Sequence, residues 1–154
     1  SPASEKATEQ SNNLAAIESL LKQYGSDKLI EFLKYHFKPI NATDFDPIGE
    51  IAFTVDATQT ITSFVVPSSN TGVLKFVGQA ASDPTLFNSA TWILRVNGTP
   101  LPYWAVTTQK GSIVQPDPVT ILLQPGTTIL LECTTSGFGS YPVTIAGRLK
   151  GWYW

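Results

Sequence analysis

An antiparallel jelly roll or β-sandwich of about eight strands, mainly β and preceded by a short N-terminal helical segment, is the fold this sequence predicts. Three observations carry that expectation. Apolar residues recur at spacings of three and four up to about residue 40, and at a spacing of two thereafter. The runs that follow are of strand length and are divided by Pro and Gly clusters. No helical pattern separates them, so neighbouring strands must pair antiparallel.

Residues 1–40 form the helical segment, and its lead, "SPASEKATEQ", is polar and reads as loose. "NNLAAIESLLKQYG" places Leu14, Ile17, Leu21 and Tyr24 on one stripe of an amphipathic helix. Gly25 stops it and Ser26 caps a second helix, "SDKLIEFLKYHFKP", with Leu29, Leu33, His36 and Phe37 along one face. Pro39 ends that helix. Helices this short are marginal alone, so the stripes are expected to pack partly on each other as a hairpin.

Residues 41–49, "NATDFDPIG", read as a turn-rich joint, and residues 50–154 as the β domain. Ile51, Phe53 and Val55 alternate with Ala52, Thr54 and Asp56. "TITSFVV", "GVLKFVGQA", "ATWILRVN", "PVTILLQ" and "TTILLECT" follow as strands. Asn97-Gly98 suits a two-residue type I′ hairpin turn, and "LLQPGTTILL" reads as a second hairpin around Pro125-Gly126.

Charge is unevenly placed. Residues 1–56 hold nine acidic and five basic side chains, and residues 57–154 only three and five. A net charge of −2 gives no electrostatic footprint for nucleic acid. No apolar run is long enough to span a membrane, and no basic-then-apolar leader reads as a signal peptide. Cys133 is the single cysteine, a small buried hydrophobe on this pattern, so neither an internal disulfide nor a cysteine-based metal site is expected.

Chemistry is sparse. His36 is the only histidine and lies on the apolar side of its helix; no Ser/His/Asp set, paired carboxylates or phosphate loop can be assembled around it. Asp83 and Asp117 each precede proline, which is turn chemistry. The expectation is a protein without catalytic residues, cofactor or metal.

The chain ends in "GRLKGWYW". On an unbroken pleat, Val143, Ile145, Gly147, Leu149, Gly151 and Tyr153 face the core. Arg148, Lys150, Trp152 and Trp154 then face outward, unless bulges at Gly147 or Gly151 reset the parity. The two tryptophans either meet a partner or close one end of the chain's own sandwich.

From "FVVPSSNTGVLKFVGQAASDPTLFNSATWILRVNGTPL" onward, about two thirds of the chain resembles jelly-roll virion proteins of tailed bacteriophages. The pattern is a strand ending in Val-Pro, then "GVLKFVGQA", a Trp-bearing strand closing on "VNG", a "PG" turn, and a last strand ending in aromatics. Within that group, capsid decoration (cement) proteins are the nearest in kind. The resemblance implies a homotrimer on the capsid surface of the virion that binds the major capsid protein and stiffens the head. The interface residues expected for such a role are Trp152, Trp154, Arg148 and Lys150, from the outward parity of the last strand, with Leu14, Ile17, Leu21 and Tyr24 from the helical stripe. A neck or portal connector is the alternative within the virion. A carbohydrate-binding module is the alternative of another class, with Trp92, Tyr103, Trp104, Tyr141 and Trp152 as its aromatic platform.

Overall fold

The computed structural model describes residues 2–82, 89–109, 117–137 and 142–154, of which the side chains of 2, 6–11, 13, 14, 103, 108 and 109 are not described. The chain divides into two compact units, Ser1–Pro39 and Ile40–Trp154.

The first unit is α1, Pro2–His36, interrupted at Gly25, whose φ of 77° and ψ of 162° lie outside the helical region. The break falls where the sequence places it. The lead does not stay loose: helix begins at Pro2, a residue preorganised for a first helical position, and runs through Ala, Glu, Lys and Gln, all good helix formers. The two stripes do not bury each other. Ile17, Leu21, Tyr24, Leu33 and Phe37 all remain exposed. His36 is exposed as well, its ring tilted against Phe32 at 4.6 Å between centroids, so it does not lie on a buried face.

The second unit holds nine strands among the described residues: β1 (Thr43–Phe45), β2 (Ile48–Phe53), β3 (Thr58–Val65), β4 (Gly72–Ala81), β5 (Ser89–Val96), β6 (Thr99–Gln109), β7 (Asp117–Leu123), β8 (Thr128–Ser136) and β9 (Val143–Tyr153). One sheet runs β1-β9-β4-β7, with β2 also paired to β9; the other runs β3-β8-β5-β6. The pairings are nested: first strand with last, β3 with β8, β4 with β7, β5 with β6. A long antiparallel ribbon rolled across two sheets gives this order, which is a jelly roll.

The expected eight strands become nine because the first is split. β1 pairs with Gly151–Tyr153 and β2 continues along Val143–Arg148. Pro47 between them has no N–H to give the ladder. Most of the expected joint, 43–45 and 48–49, is therefore strand, and the boundary between units falls after Pro39. The turn-like residues Asp46 and Pro47 interrupt a strand without ending it.

Asn97 and Gly98 both take positive φ, 50° and 83°, with Val96 opposite Thr99, so the type I′ hairpin forms as expected. The second expected hairpin does not. Gln124–Thr127 is a tight turn with Gly126 at φ 74°, but β7 pairs with β4 in one sheet and β8 with β3 and β5 in the other. The turn carries the chain across the sandwich. Val66 holds it there: its N–H donates to Thr127 O (2.9 Å) and its carbonyl accepts from Gly126 N (3.1 Å).

The core lies between the sheets. Phe53, Leu74, Val77, Ile145 and Leu149 from one meet Trp92, Leu94, Ile129, Leu131 and Cys133 from the other. Gly147 and Gly151 on β9 are not bulges. β9 pairs with β2 without a register shift, and the irregularity lies on β4 between Leu74 and Phe76. The two glycines make room instead. A Cβ on Gly151 would stand 2.0 Å from Val73 O and 2.6 Å from the Phe45 ring. Gly151→Ala is therefore expected to lower the thermal midpoint by several degrees, since overpacking costs about 1–3 kcal/mol and here one neighbour is backbone. An unchanged midpoint in a melting scan would show that the strands relax freely at that point.

Candidate functional site

Alternation along β9 fixes what the last strand shows to each side. Val143, Ile145, Gly147, Leu149 and Gly151 are buried, and the residues between them are half-buried or exposed. Tyr153 stays on the core side, where its ring stacks on Phe64 at 5.9 Å and Phe64 on Phe45 at 4.1 Å. Trp152 falls on the outer face and is half-buried. Trp154 is half-buried too, and its backbone is tied to Thr71 in both directions (2.9 and 3.1 Å).

The outer face of this sheet gathers the four β-domain residues the sequence selects, or their immediate neighbours. One cross-strand row is Asp44, Trp152, Val73 and Leu122. Lys75, in the irregular stretch of β4, sets its Nζ 5.8 Å from the Trp152 ring centroid, a cation–π distance, and donates to Thr120 Oγ1 at 2.7 Å. The next rows carry Lys150 opposite Phe76, then Ile48, Arg148 and Gly78, then Ala146 opposite Ala80. Small side chains there leave a shallow groove of about 210 Å³, walled by Ile48, Phe76 and Arg148 and floored by Gly78, Ala80 and Ala146.

Arg148 is held in place by Asp46, which accepts from Nε at 2.6 Å and also from Nη2. That hydrogen bond holds the Asp46 carboxyl below its usual value and raises Arg148. The sign follows: the contact contributes above the normal carboxylate range and is lost as pH falls through the lowered value. Lys150 is exposed. The face thus presents Trp152, Phe76 and Ile48 among cations, with one cation fixed by a carboxylate.

On the helical unit, Ile17, Leu21 and Tyr24 are exposed at the expected spacing; the side chain of Leu14 lies outside the described residues. Around the break, Leu20, Tyr24, Lys28, Leu29 and Phe32 line a hollow of about 310 Å³. The hollow spans the break at Gly25, with Leu20 and Tyr24 before it and Lys28, Leu29 and Phe32 after it. The sequence stripes already contain Tyr24 and Leu29 of this lining, and Phe32 widens the second of them, whereas Leu20 lies off the line through Ile17 and Leu21.

Among the described residues the sugar platform does not assemble. Trp92 is 1% exposed, inside the core. Trp104 is 9% exposed and its indole N–H donates to Asp117 Oδ2 at 2.8 Å, so Asp117 anchors a buried ring and is more than turn chemistry. Tyr103's side chain, Tyr141 and Asp83 lie outside the described residues. No group of three His, Cys, Asp or Glu that would hold a metal occurs among the described residues, and no helix among them is long and apolar enough to cross a membrane.

Cys133 is buried, and desolvation pushes its thiol up to about 12 from 9.0. A neutral thiol in the fold and a more acidic one in the unfolded chain mean that stability falls as pH rises from about 9 towards 12. Cys133→Ala is expected to flatten that part of the stability curve, measured by urea unfolding at pH 8 and 10. An identical slope in both proteins would assign the alkaline loss to other groups.

No family model and no curated protein matches the chain. Two solved structures with similar folds are of different kinds. One is the VP2 subviral particle of infectious bursal disease virus, at 15% identity and a TM-score of 0.41, over 74% of this chain. This chain spans 40% of that protein's length. The other is the CBM36-1 domain of a multidomain xylanase from the hindgut metagenome of Trinervitermes trinervoides, at 11% identity and a TM-score of 0.35, over 70% of this chain and 96% of that domain. The strand order, not these similarities, defines the jelly roll.

Proposed function

We propose that this chain is a non-enzymatic structural component of a virion: a decoration protein that self-associates and binds the major capsid protein on the head surface of a tailed phage. One observation carries the reading. Both compact units expose organised apolar surface, the helical stripe with Ile17, Leu21 and Tyr24 and the β face with Trp152, Phe76 and Ile48. Surface of that kind, rimmed by charge, marks a protein–protein contact. On a repeating shell, modest single contacts made by linked copies multiply into tight binding.

The sugar-binding reading is weakened by the burial of Trp92 and Trp104, which leaves Trp152 as the only described, half-open tryptophan besides Trp154. Cosedimentation with shells assembled from the same virus's major capsid protein tests the proposal. Saturable pelleting at micromolar concentration is expected, together with a blank glycan array. A chain that stays in the supernatant, or that binds glycans instead, overturns it.

A further inference from the structure

Among the described residues the two sheets end at β7 and the β1–β2 pair on one, and at β3 and β6 on the other. An unpaired margin is a row of open N–H and C=O groups, which soluble proteins guard with proline, charge or irregularity. Three of these margins are guarded. The β1–β2 margin carries Asp46, Pro47 and Glu50, and β3 shifts register between Thr60 and Thr62. β6 holds Pro100 and Pro102 beside its own register shift. β7 is guarded only at its start, by Asp117 and Pro118. Val119–Leu123 holds no charge and no proline, and its alternation is unbroken.

The ladder bonds fix which groups β7 leaves open. Thr71 and Trp154 exchange both backbone bonds, so Gly72, the next residue, turns its own bonds towards β7, where it meets Leu123. Leu122 therefore points its N–H and carbonyl away from β4, and Thr120 and Pro118 follow by alternation. Pro118, without an N–H, sits where the ladder needs none. Beside this margin lies a cleft of about 390 Å³, between Leu101, Pro102 and Trp104 of β6 and Val119, Thr120 and Ile121 of β7. Val119 and Ile121 are on the core side of β7, so the core-side residues of a strand laid along it would enter the cleft. Outward residues of that strand would lie beside Leu122, 40% exposed, and beside Thr120, to which Lys75 Nζ donates. Lys75 thus sets the charge of the strand that fits. A second copy of β7 would bring its own Lys75 to the same row, like charge beside like. An acidic strand answers it.

We infer that β7 is an acceptor edge: an extended segment of another protein, apolar on alternate residues and acidic between them, adds antiparallel along Thr120–Leu122 and fills the cleft with its apolar side chains. In strand addition of this kind main-chain bonds supply affinity and pockets for alternate side chains supply specificity. Antiparallel is the orientation of the neighbouring β4–β7 pairing, and the more stable one per residue. The inference does not require the partner to be a shell protein, and its test uses no shells, so it and the virion reading fail separately.

Isothermal titration of the full-length chain with the blocked peptide Glu-Val-Glu-Val-Glu-Val-Glu reads the addition. Saturable one-to-one binding is expected, at least about tenfold weaker when Lys replaces Glu in the peptide. In an antiparallel pair the outward residues of the peptide turn their N–H towards β7. N-methylation of its Glu residues should therefore abolish binding, and N-methylation of its Val residues should not. Leu122→Pro removes an N–H that lies outside the β4 ladder, so it should lose the peptide and keep the β circular dichroism. Lys75→Glu should reverse the preference towards the Lys peptide, and it reads the site even if the proline variant does not fold. Absence of saturable binding overturns the inference. So does equal binding of the two N-methylated peptides, the reverse pattern, or an unchanged preference in Lys75→Glu. A chain that self-associates through this edge, seen by light scattering as a larger species that Leu122→Pro dissociates, overturns the choice of occupant.

Discussion

Alanine in place of Trp92 is expected to destabilise the β unit by about 3–5 kcal/mol, out of the roughly 5–15 kcal/mol that a domain of this kind possesses. Trp92 is the largest of the fully buried side chains. It stands on β5 opposite Cys133 of β8 and Val106 of β6, at the middle of its sheet. Removing the ring leaves a cavity between two sheets whose backbones are held by ladders on both sides. Such a site collapses poorly, which puts the cost at the upper end. Among the described residues the indole N–H has no hydrogen-bond partner. Trp92→Phe therefore loses ring volume but no bond, and should cost clearly less than Trp92→Ala. Urea unfolding of the three proteins checks this. Equal losses for Phe and Ala would mean that the N–H makes a contact the packing does not show. The same pair bears on function, because a sugar-binding Trp92 would lose affinity and keep its stability.

The reasons why some features were legible and others not are physical. The change of period near residue 40 is a property of neighbouring residues, so it reads directly from the chain and matches the division after Pro39. Asn97-Gly98 is equally local, since few residue pairs accept positive φ twice in succession. Pro125-Gly126 has the same local chemistry, yet its turn joins two sheets. Whether flanking strands pair with each other depends on β3, β4 and β5, which are distant in sequence. Gly147 and Gly151 show the same limit. Their composition is that of a bulge, but the space they free is taken by Ile61, Leu131 and Phe45 from other strands. The candidate face was half legible. Parity placed Trp152, Arg148 and Lys150 outward, whereas Lys75 reaches Trp152 only because β4 is irregular at that point. Nothing in "GVLKFVGQA" announces that irregularity.

Serine substitutions in the last three residues are expected to separate folding from assembly. Tyr153 belongs to the core: its ring extends the stack that begins at Phe45 and passes through Phe64. Tyr153→Ser removes the outermost ring of that stack and should lower the thermal midpoint by several degrees, as loss of a large aromatic from a packed site costs up to about 3–5 kcal/mol. A half-buried ring falls at the lower end of that range. Trp152 and Trp154 lie differently. The Trp154 backbone keeps its two bonds to Thr71 whatever its side chain, and Trp152 covers the outer face beside Val73 and Lys75. Trp152→Ser/Trp154→Ser should shift the midpoint less than Tyr153→Ser, yet cut cosedimentation with shells at least tenfold. A tenfold loss corresponds to about 1.4 kcal/mol, within reach of one aromatic anchor at an interface centre. Val73, in the same row, is fully buried, so some loss of stability in the double variant is expected from its uncovering. The ordering of the two effects is what tests the register. If Trp152→Ser unfolds the β unit while Tyr153→Ser is silent, the outward row is structural and the shell contact must lie elsewhere.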